Sequence, residues 1–458
     1  MSKSIITVLA SDPPMPPTGG GTRTFHFTMA LSNITDCHLF ILFPIKREIL
    51  PLTVINRCTS VRIASAPFAS AYIRKSSILL NNLRILFAPW SFKNEEIIAT
   101  AAYYASNPYQ GKHFLKKAFF FLLRYLVTSH AILLYRLGYK IPARSLERIA
   151  QYNELKQEIN SSIAESKLLW LDFSILFPFF LNLHKAHPHL KIVCNAHNIE
   201  YRVLERMQSL CKDKLEKKWL ACQAAVMKRA ELKGFSDCSL VVTCSEKDKQ
   251  EILLNLPNAN VEVIHNGVDL DYFIPQEELT AEPSLLFTGT MGYEPNRDAV
   301  FYFIENIFPE VLKLHPTCTF IIAGSSASTI FAKYNSNKRV EIISSPVDMR
   351  PIYNKAWIVV VPLRSGSGTR LKILEAAAMG KPIVSTSIGA EGLSLKNNEQ
   401  LFIPDDEQDF AEKINLLILN SNIAQRMVKA AKETVSQEYD WEKIRMQSGN
   451  MIQKYLGI

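Results

Sequence analysis

The chain has 458 residues, which is long for one domain, so we expect two α/β domains of roughly 200 residues each. Hydrophobic residues make up 48% and charged residues 21%, a composition that excludes a disordered chain. The formal net charge of +9 at pH 7 suits a phosphorylated substrate, anionic lipid or nucleic acid, and charge alone does not choose among them.

The N-terminus predicts a buried strand. Its apolar run, Ile5 to Ala10, ends before Asp12 and is too short for the apolar core of a signal peptide. The eight cysteines are scattered, with no CxxC pair, so we expect neither a disulfide scaffold nor a zinc site. These features favour a cytoplasmic protein.

A glycine-rich loop, DPPMPPTGGGTR, follows this strand and precedes a predicted helix from about Thr24 to Ser32. Gly20 and Gly21 would let the backbone approach an anion at the N-terminus of that helix. The spacing is not GxGxxG, so an ordinary surface loop is an equally good interpretation.

The segment 112–148 is basic and apolar, with eight Lys and Arg residues against one acid. Its apolar run from Ala118 to Tyr135 is close to the minimum for a membrane span, but Arg124 and His130 interrupt it. Three interpretations remain open: a buried helical hairpin, a helix lying on an anionic membrane surface, and a transmembrane helix.

From residue 168 onwards, strand and helix patterns alternate, and in the second half they predict a parallel sheet in doubly wound order. Ser245, with Asp248 three residues later, predicts the start of a helix. The HNGVD segment predicts a hinge turn with Gly267 at positive φ. The polar, acidic residues 276–283 predict an interdomain linker.

Several motifs, in this order, resemble the family 4 glycosyltransferases of the GT-B fold. They are the PxxGGGxR loop, CNAHNIEYRVLER, VVTCSEKD, VIHNGVDLDYF, LLFTGTMGYEPNRDAVFYF, PLRSGSGTRLKILEAAAMGKPIVST and the closing YDWEK. The resemblance implies two Rossmann-like domains whose parallel sheets face each other across a cleft. The implied parts are an acceptor-binding domain 1–275 carrying the insert 112–148, a nucleotide-sugar-binding domain 282–435, and a last helix 436–458 that returns to the N-terminal domain.

The SGSGTRLK loop is the main predicted donor site. Gly366 and Gly368 give a tight loop, a helix is predicted to begin near Thr369, and Arg370 and Lys372 add positive charge to its first turn. Cations are unfavourable at a helix N-terminus unless an anion neutralises them, so this misfit indicates a bound phosphate. Solvated surface charges are the alternative interpretation.

The resemblance adds further donor contacts. Glu375 corresponds to the family's acceptor of ribose hydroxyls, a role that suits a carboxylate. Gly289 and Thr290 end the first strand of the second domain, where open parallel sheets bind ligands. Ser367 stands where family members often carry a Glu that contacts the donor sugar, so the identity of the sugar is left open.

His197 lies in the motif that the family places near the reacting sugar, where an imidazole can bind a hydroxyl or share charge. With Arg370 and Lys372 it forms the predicted catalytic set. Arg23, Glu200 and Arg202 are the predicted acceptor-binding residues.

The resemblance implies a retaining transferase that uses neither a metal nor another cofactor. The substrates would be a nucleotide-diphosphate sugar and a saccharide or lipid-linked glycan, in polysaccharide or cell-envelope synthesis, with peripheral contact to an anionic membrane as a hypothesis. Nucleic acid is not expected, because the positive charge lies beside apolar residues rather than along a groove with stacking aromatics. The alternatives are a twin-Rossmann sugar-nucleotide epimerase and a non-catalytic sugar-nucleotide-binding or scaffold subunit.

Overall fold

The computed structural model describes residues 5–14, 19–65, 128–129, 131–136, 140–146, 148–180, 183–276 and 281–457. Most of the insert 112–148, including residues 118–127 and 130 of its apolar run, lies outside these ranges, so its three interpretations stay predictions. Among the helices that are described, none is long and apolar enough to cross a membrane.

The N-terminal half contains a seven-stranded sheet with the order β3-β2-β1-β4-β5-β6-β7, in which all neighbouring strands are parallel. The strands are nearly continuous apolar runs, as expected for a parallel sheet covered by helices on both faces. Their bounds are Ile5–Ala10 (β1), Asp36–Ile41 (β2), Ser60–Ile63 (β3), Leu168–Asp172 (β4), Lys191–Ala196 (β5), Leu240–Thr243 (β6) and Val261–Val263 (β7).

The helices described in this half connect and cover those strands. They are Gly19–Ile34 (α1), Leu52–Arg57 (α2), Ala143–Leu146 (α3), Ile149–Glu165 (α4), Phe177–Phe180 (α5), Leu183–Ala186 (α6), Glu200–Leu210 (α7), Lys214–Asp237 (α8) and Glu246–Asn255 (α9). The predicted cap of α9 is confirmed, because the Ser245 hydroxyl accepts a hydrogen bond from the Asp248 amide at 3.1 Å.

The C-terminal half contains a five-stranded parallel sheet with the order β10-β9-β8-β11-β12. This is the predicted doubly wound arrangement, with the strand order reversing beside the first strand. The strands are Ser284–Thr288 (β8), Thr319–Gly324 (β9), Val340–Ser344 (β10), Ile358–Val361 (β11) and Ile383–Ser385 (β12). The helices are Glu294–Tyr302 (α10), Phe308–Leu314 (α11), Ala327–Ile330 (α12), Arg350–Lys355 (α13), Leu371–Ala378 (α14), Glu407–Leu419 (α15) and Ser421–Glu438 (α16).

The last helix, Trp441–Leu456 (α17), returns to the N-terminal half and packs on α1. The Trp441 indole stacks on the His26 ring with 4.2 Å between ring centroids, and Ile444 joins the apolar core of that half. Gly267 lies beneath this crossing. The prediction of a positive φ at Gly267 was wrong. Instead, a Cβ there would come within 2.8 Å of the Tyr439 carbonyl oxygen, so close packing requires the glycine.

The predicted start of the first helix was also wrong. Helix α1 begins at Gly19, so Gly20 and Gly21 lie in its first turn rather than in a loop. A Cβ on Gly20 would lie 2.5 Å from the Asp12 carboxylate and 3.0 Å from the Phe173 ring. The glycine therefore lets α1 start close to the ends of β1 and β4.

Candidate active site at the domain interface

The predicted site residues lie at the carboxyl ends of the strands in both sheets, where open parallel sheets bind ligands. His197 follows β5, Gly289 follows β8, and the loop 362–370 follows β11. The two halves meet here. A Cβ on Gly368 would overlap the carbonyl oxygen of His197, so the loop of one half lies directly against the other.

His197 is held by the ends of β4 and β5. Its Nε2 lies 3.1 Å from Asp172 Oδ1, and its ring stacks on Phe173 with 3.7 Å between centroids. Phe173 adopts a φ of 88°, a strained value for a residue with a side chain. That conformation places its ring against the imidazole.

Asp172 is buried and accepts hydrogen bonds from Asn195 Nδ2 at 2.6 Å and from the Thr24 hydroxyl. Burial alone would raise the pKa of Asp172, but His197 and the hydrogen bonds hold that pKa below its ordinary value. Asp172 was not among the site residues predicted from the sequence. The signal was an acid ending an otherwise apolar strand, LLWLD.

The loop before α14 has the predicted tight turns, with φ of 125° at Gly366 and 74° at Gly368. Such values favour glycine. Arg370 is the N-cap residue, and α14 begins at Leu371, two residues after the predicted start. Its Nη1 donates to the carbonyl oxygens of Ser367 and Gly368, whereas its Nη2 is buried without a hydrogen-bond partner in the described part of the chain.

Lys372 and Glu375 follow on the same helix, and burial disfavours the charged form of each. Lys372 Nζ donates to Asn296 Oδ1 at 2.9 Å, and burial together with the charge of Arg370 lowers its pKa to about 7. Glu375 accepts from the Tyr353 hydroxyl at 2.7 Å, and burial raises its pKa.

Other predicted donor contacts surround these charges. A Cβ on Gly289 would lie 3.1 Å from Lys372 Nζ, and Thr290 is exposed beside it. Thr369 accepts a hydrogen bond from Asn266 Nδ2 at 2.7 Å across the interface. The structure therefore brings the residues of the loop, α14 and the end of β8 together, and Gly20 and Gly21 lie on the other half at the end of β1.

The predicted acceptor-binding residues do not form one cluster. Arg23 has no exposed surface, and its guanidinium donates to Asn195 Oδ1 and Asn266 Oδ1, each at 2.9 Å. Its Nη2 is buried without a hydrogen-bond partner in the described residues, and its acceptor-binding role stays a prediction. Glu200 is buried at the start of α7, whereas Arg202 is half-exposed and pairs with Glu251 at 2.7 Å.

A cavity of about 370 Å³ lies between α7, α9 and the C-terminal half. Its lining residues are Ile199, Arg202, Glu205, Arg206, Ser209, Lys247, Asp248, Glu251, Ser367 and Glu391. The cavity touches the loop before α14 but does not include Arg370, Lys372 or Glu375, so it is separate from the predicted diphosphate site. The described residues contain no group of three or more His, Cys, Asp or Glu side chains that could hold a metal ion.

Two family models match the chain. The one described as Glycosyltransferase Family 4 matches residues 123–272, and the one described as Glycosyl transferases group 1 matches residues 282–420. Together these ranges cover more than half of the chain and include the His197 motif and the loop before α14.

Relatives match over part of their length. An uncharacterized 44.6 kDa protein of the cps region of Klebsiella pneumoniae is 29% identical over 170 residues, 35% of this chain and 44% of that protein. The glycogen synthase of Mycobacterium tuberculosis is 25% identical over 218 residues, 44% of this chain and 51% of that enzyme. The matched region thus spans about half the length of these relatives.

Solved structures share the whole architecture. Sucrose-phosphate synthase from Thermosynechococcus elongatus superimposes with a TM-score of 0.64 at 14% identity, covering 99% of both chains. The Anabaena protein HepE, crystallised with UDP-glucose, has a TM-score of 0.59 at 11% identity, covering 98% of this chain and all of HepE. These similarities show the fold, and they confirm the predicted GT-B arrangement of two parallel-sheet domains.

Proposed function

Because this chain belongs to the glycosyltransferases of family 4, whose C-terminal domain is that of the group 1 enzymes, we propose that it transfers a sugar from a nucleotide-diphosphate donor to a saccharide or lipid-linked glycan. One observation carries the proposal. The N-terminus of α14 is lined by cations and has no side-chain cap.

A helix N-terminus presents amide N–H groups without intrahelical partners and carries a partial positive charge. The usual caps accept hydrogen bonds from these amides, but Arg370 has no acceptor. Its Nη2 is buried without a partner in the described residues, and Lys372 is buried two residues later. Each of these features is unfavourable alone. A bound diphosphate would give the amides, Arg370 and Lys372 a partner, because it supplies negative charge and several acceptor oxygens.

In the proposed reaction, the bond between the anomeric carbon and the diphosphate oxygen breaks, and its electron pair stays on the diphosphate. Arg370 and Lys372 stabilise that developing charge. The acceptor oxygen bonds to the same face of the sugar, as in a retaining transferase, and its proton passes to the departing phosphate oxygen. No metal or other cofactor is needed for this balance.

His197 would act on the sugar from the N-terminal half. Asp172 lies against one ring nitrogen of His197, which leaves the other nitrogen to bind a sugar hydroxyl. Glu375 would accept hydrogen bonds from the ribose, with its orientation fixed by Tyr353. Gly289 would let the sugar or phosphate approach the backbone.

The test uses the full chain without added metal. Thermal shift and hydrolysis are measured with UDP-, GDP-, ADP- and dTDP-sugars, including the UDP-glucose found in HepE. We expect one donor to stabilise the protein and to be slowly hydrolysed. Arg370→Ala and Glu375→Ala should lose both effects, and Arg350→Ala, which removes a half-exposed arginine paired with Asp348 elsewhere in the same half, should keep them.

Other outcomes separate the alternative functions. Binding that never leads to hydrolysis or transfer would support a scaffold subunit. Conversion of the donor into an epimeric sugar nucleotide would support an epimerase. If no nucleotide sugar stabilises the protein and Arg370→Ala behaves like Arg350→Ala, the proposal is wrong.

A lipid-linked acceptor would require contact with a membrane. The basic and aromatic segment 112–148 supports this part of the proposal, since clustered Lys and Arg residues beside apolar ones bind anionic surfaces. Co-sedimentation with phosphatidylglycerol vesicles, compared with phosphatidylcholine vesicles, tests it. Equal partition to the two would leave saccharides in solution as the acceptor class.

A further inference from the structure

One side chain of the loop that precedes α14, Ser367, forms hydrogen bonds with two elements of the N-terminal half. Its hydroxyl accepts a hydrogen bond from the Ile199 amide at 3.2 Å and donates to Asp248 Oδ1 at 3.0 Å. Ile199 lies two residues after His197, and Asp248 lies in the first turn of α9, so both partners belong to the N-terminal half. A single hydroxyl therefore links the proposed donor loop to both elements.

Asp248 is buried, and it takes no part in the reaction proposed above. Its Oδ2 accepts from the Ser245 hydroxyl at 2.6 Å, and that hydroxyl caps α9. Its Oδ1 points across the interface to Ser367. The cap itself uses the Ser245 oxygen, so Oδ1 of Asp248 is not needed to start the helix. Burial raises the pKa of Asp248 above its ordinary value, although the hydrogen bonds with Ser245 and Ser367 oppose that shift.

A second contact holds the same loop. Arg206 on α7 donates to the Gly366 carbonyl oxygen, and it forms two hydrogen bonds with Glu391, at 2.6 and 2.9 Å. Lys247 also pairs with Glu391. These residues place Gly366 but do not approach the Ser367 hydroxyl closely enough to replace Asp248. The two contacts fix successive parts of the loop.

We propose that Asp248 is a positioning residue that docks the donor loop through Ser367 and so holds Arg370 and Lys372 opposite His197. This inference rests on the proposed transferase function. It also gives a physical reason for a serine at this position. An acidic residue at 367 would place a second carboxylate against that of Asp248 in a buried environment, and such a pair repels unless one member is protonated.

The experiment measures amide hydrogen exchange of the full-length protein without donor, in peptides covering 197–203 and 364–370. Ser367→Glu should increase exchange in both peptides about tenfold. It removes the hydrogen bond between the Ile199 amide and the serine hydroxyl, and it adds repulsion between the carboxylates at 248 and 367. Asp248→Asn alone should have little effect, because the amide oxygen still accepts from Ser367. In the double variant, the neutral side-chain amide that replaces the Asp248 carboxylate can donate to the new carboxylate at 367, and exchange should return towards the wild-type rate.

Two controls complete the design. Ser421→Glu adds the same charge to an exposed position of the C-terminal half, and it should leave both peptides unchanged. Ser367→Ala is the milder variant if Ser367→Glu does not fold, and it should still speed exchange of the Ile199 amide. Wild-type exchange in Ser367→Glu or Ser367→Ala would overturn the proposal, as would a double variant that exchanges as fast as Ser367→Glu.

Kinetics separate this inference from the proposed function. For a donor that is turned over, Ser367→Glu should lower kcat/KM at least tenfold, and adding Asp248→Asn should recover much of that loss. If no donor is turned over but the exchange pattern holds, only the transferase proposal fails. If the donor is turned over equally well by wild type and Ser367→Glu, only the positioning role of Asp248 fails.

Discussion

Donor binding should weaken as the pH rises above about 7, because Lys372 must be protonated to face a diphosphate. Its pKa in the free protein is lowered to about 7, chiefly by burial and further by Arg370, while Glu375 opposes the shift. A bound diphosphate favours the charged ammonium and raises that pKa. Binding is then coupled to proton uptake, and the affinity present at low pH is lost as the pH rises through the pKa of the free protein.

The magnitude follows from the fraction of protein that is ready to bind. With a pKa of about 7, roughly half of the Lys372 side chains are charged at pH 7 and about one in a hundred at pH 9. If the bound pKa lies well above 9, the donor Kd rises about 50-fold between these two pH values. At pH 8, each donor molecule should take up roughly 0.9 protons on binding.

Isothermal titration calorimetry measures both quantities. The intact nucleotide sugar is the proper ligand. A free nucleoside diphosphate carries a terminal phosphate that itself titrates, with a second pKa at about 6 as in a phosphomonoester. Titrations at pH 8 in two buffers of different ionisation enthalpy give the proton uptake. The matched control is Lys372→Met, which keeps an unbranched side chain beside Phe287 and has no group to titrate.

The variant should bind the donor weakly at every pH and take up no proton at pH 8. A wild-type Kd that stays constant from pH 7 to 9, or a proton uptake near zero at pH 8, would show that Lys372 does not change its protonation when the donor binds. Equal proton uptake by wild type and Lys372→Met would show that another group titrates.

Three other variants test separate parts of the structure. Arg370→Ala should raise the donor Kd about 10- to 100-fold in calorimetry, since charged hydrogen bonds contribute about 1.5–3 kcal/mol each. An unchanged Kd would mean that the phosphates do not bind at the N-terminus of α14. Asp172→Asn should lower kcat about tenfold or more and leave the donor Kd unchanged, because it removes only the charge that supports His197; loss of donor binding in titrations would contradict this. Gly267→Ala should destabilise the protein by about 1–3 kcal/mol in thermal unfolding, because the added Cβ would clash with the segment before α17. Gly292→Ala is the control and should not destabilise the protein, because its Cβ would meet no atom within 4 Å.

The fold could be predicted largely because its signals are local. Apolar runs of five or six residues, separated by helix patterns, predict a parallel sheet. This prediction does not depend on which strands are neighbours in the sheet. The strand Ile5–Ala10 and the cap at Ser245 are properties of a few consecutive residues, and both were predicted correctly. The start of α1 was not, and the contacts that require a glycine at position 20, with Asp12 and Phe173, come from outside the helix.

The donor loop could likewise be found from consecutive residues, since Gly366, Gly368, Arg370 and Lys372 lie within seven consecutive residues. Their roles in binding stay predictions. By contrast, Asp172 was missed because its partner His197 follows a different strand. The sequence LLWLD does not indicate which residue Asp172 contacts. The surroundings of Arg23 could not be predicted either. Its motif suggested a ligand, but the residues that bury it, Asn195 and Asn266, come from distant parts of the chain.

Ser367 shows why the domain interface cannot be deduced from a motif. In the sequence it is only a neutral residue where the family often has an acid. In the structure it is one half of a hydrogen bond with Asp248, 119 residues away. The two positions constrain each other, since a buried carboxylate at 248 accepts a hydroxyl but repels a second carboxylate. A serine at position 367 therefore fits the way the two halves meet, and it does not by itself argue for a loss of activity.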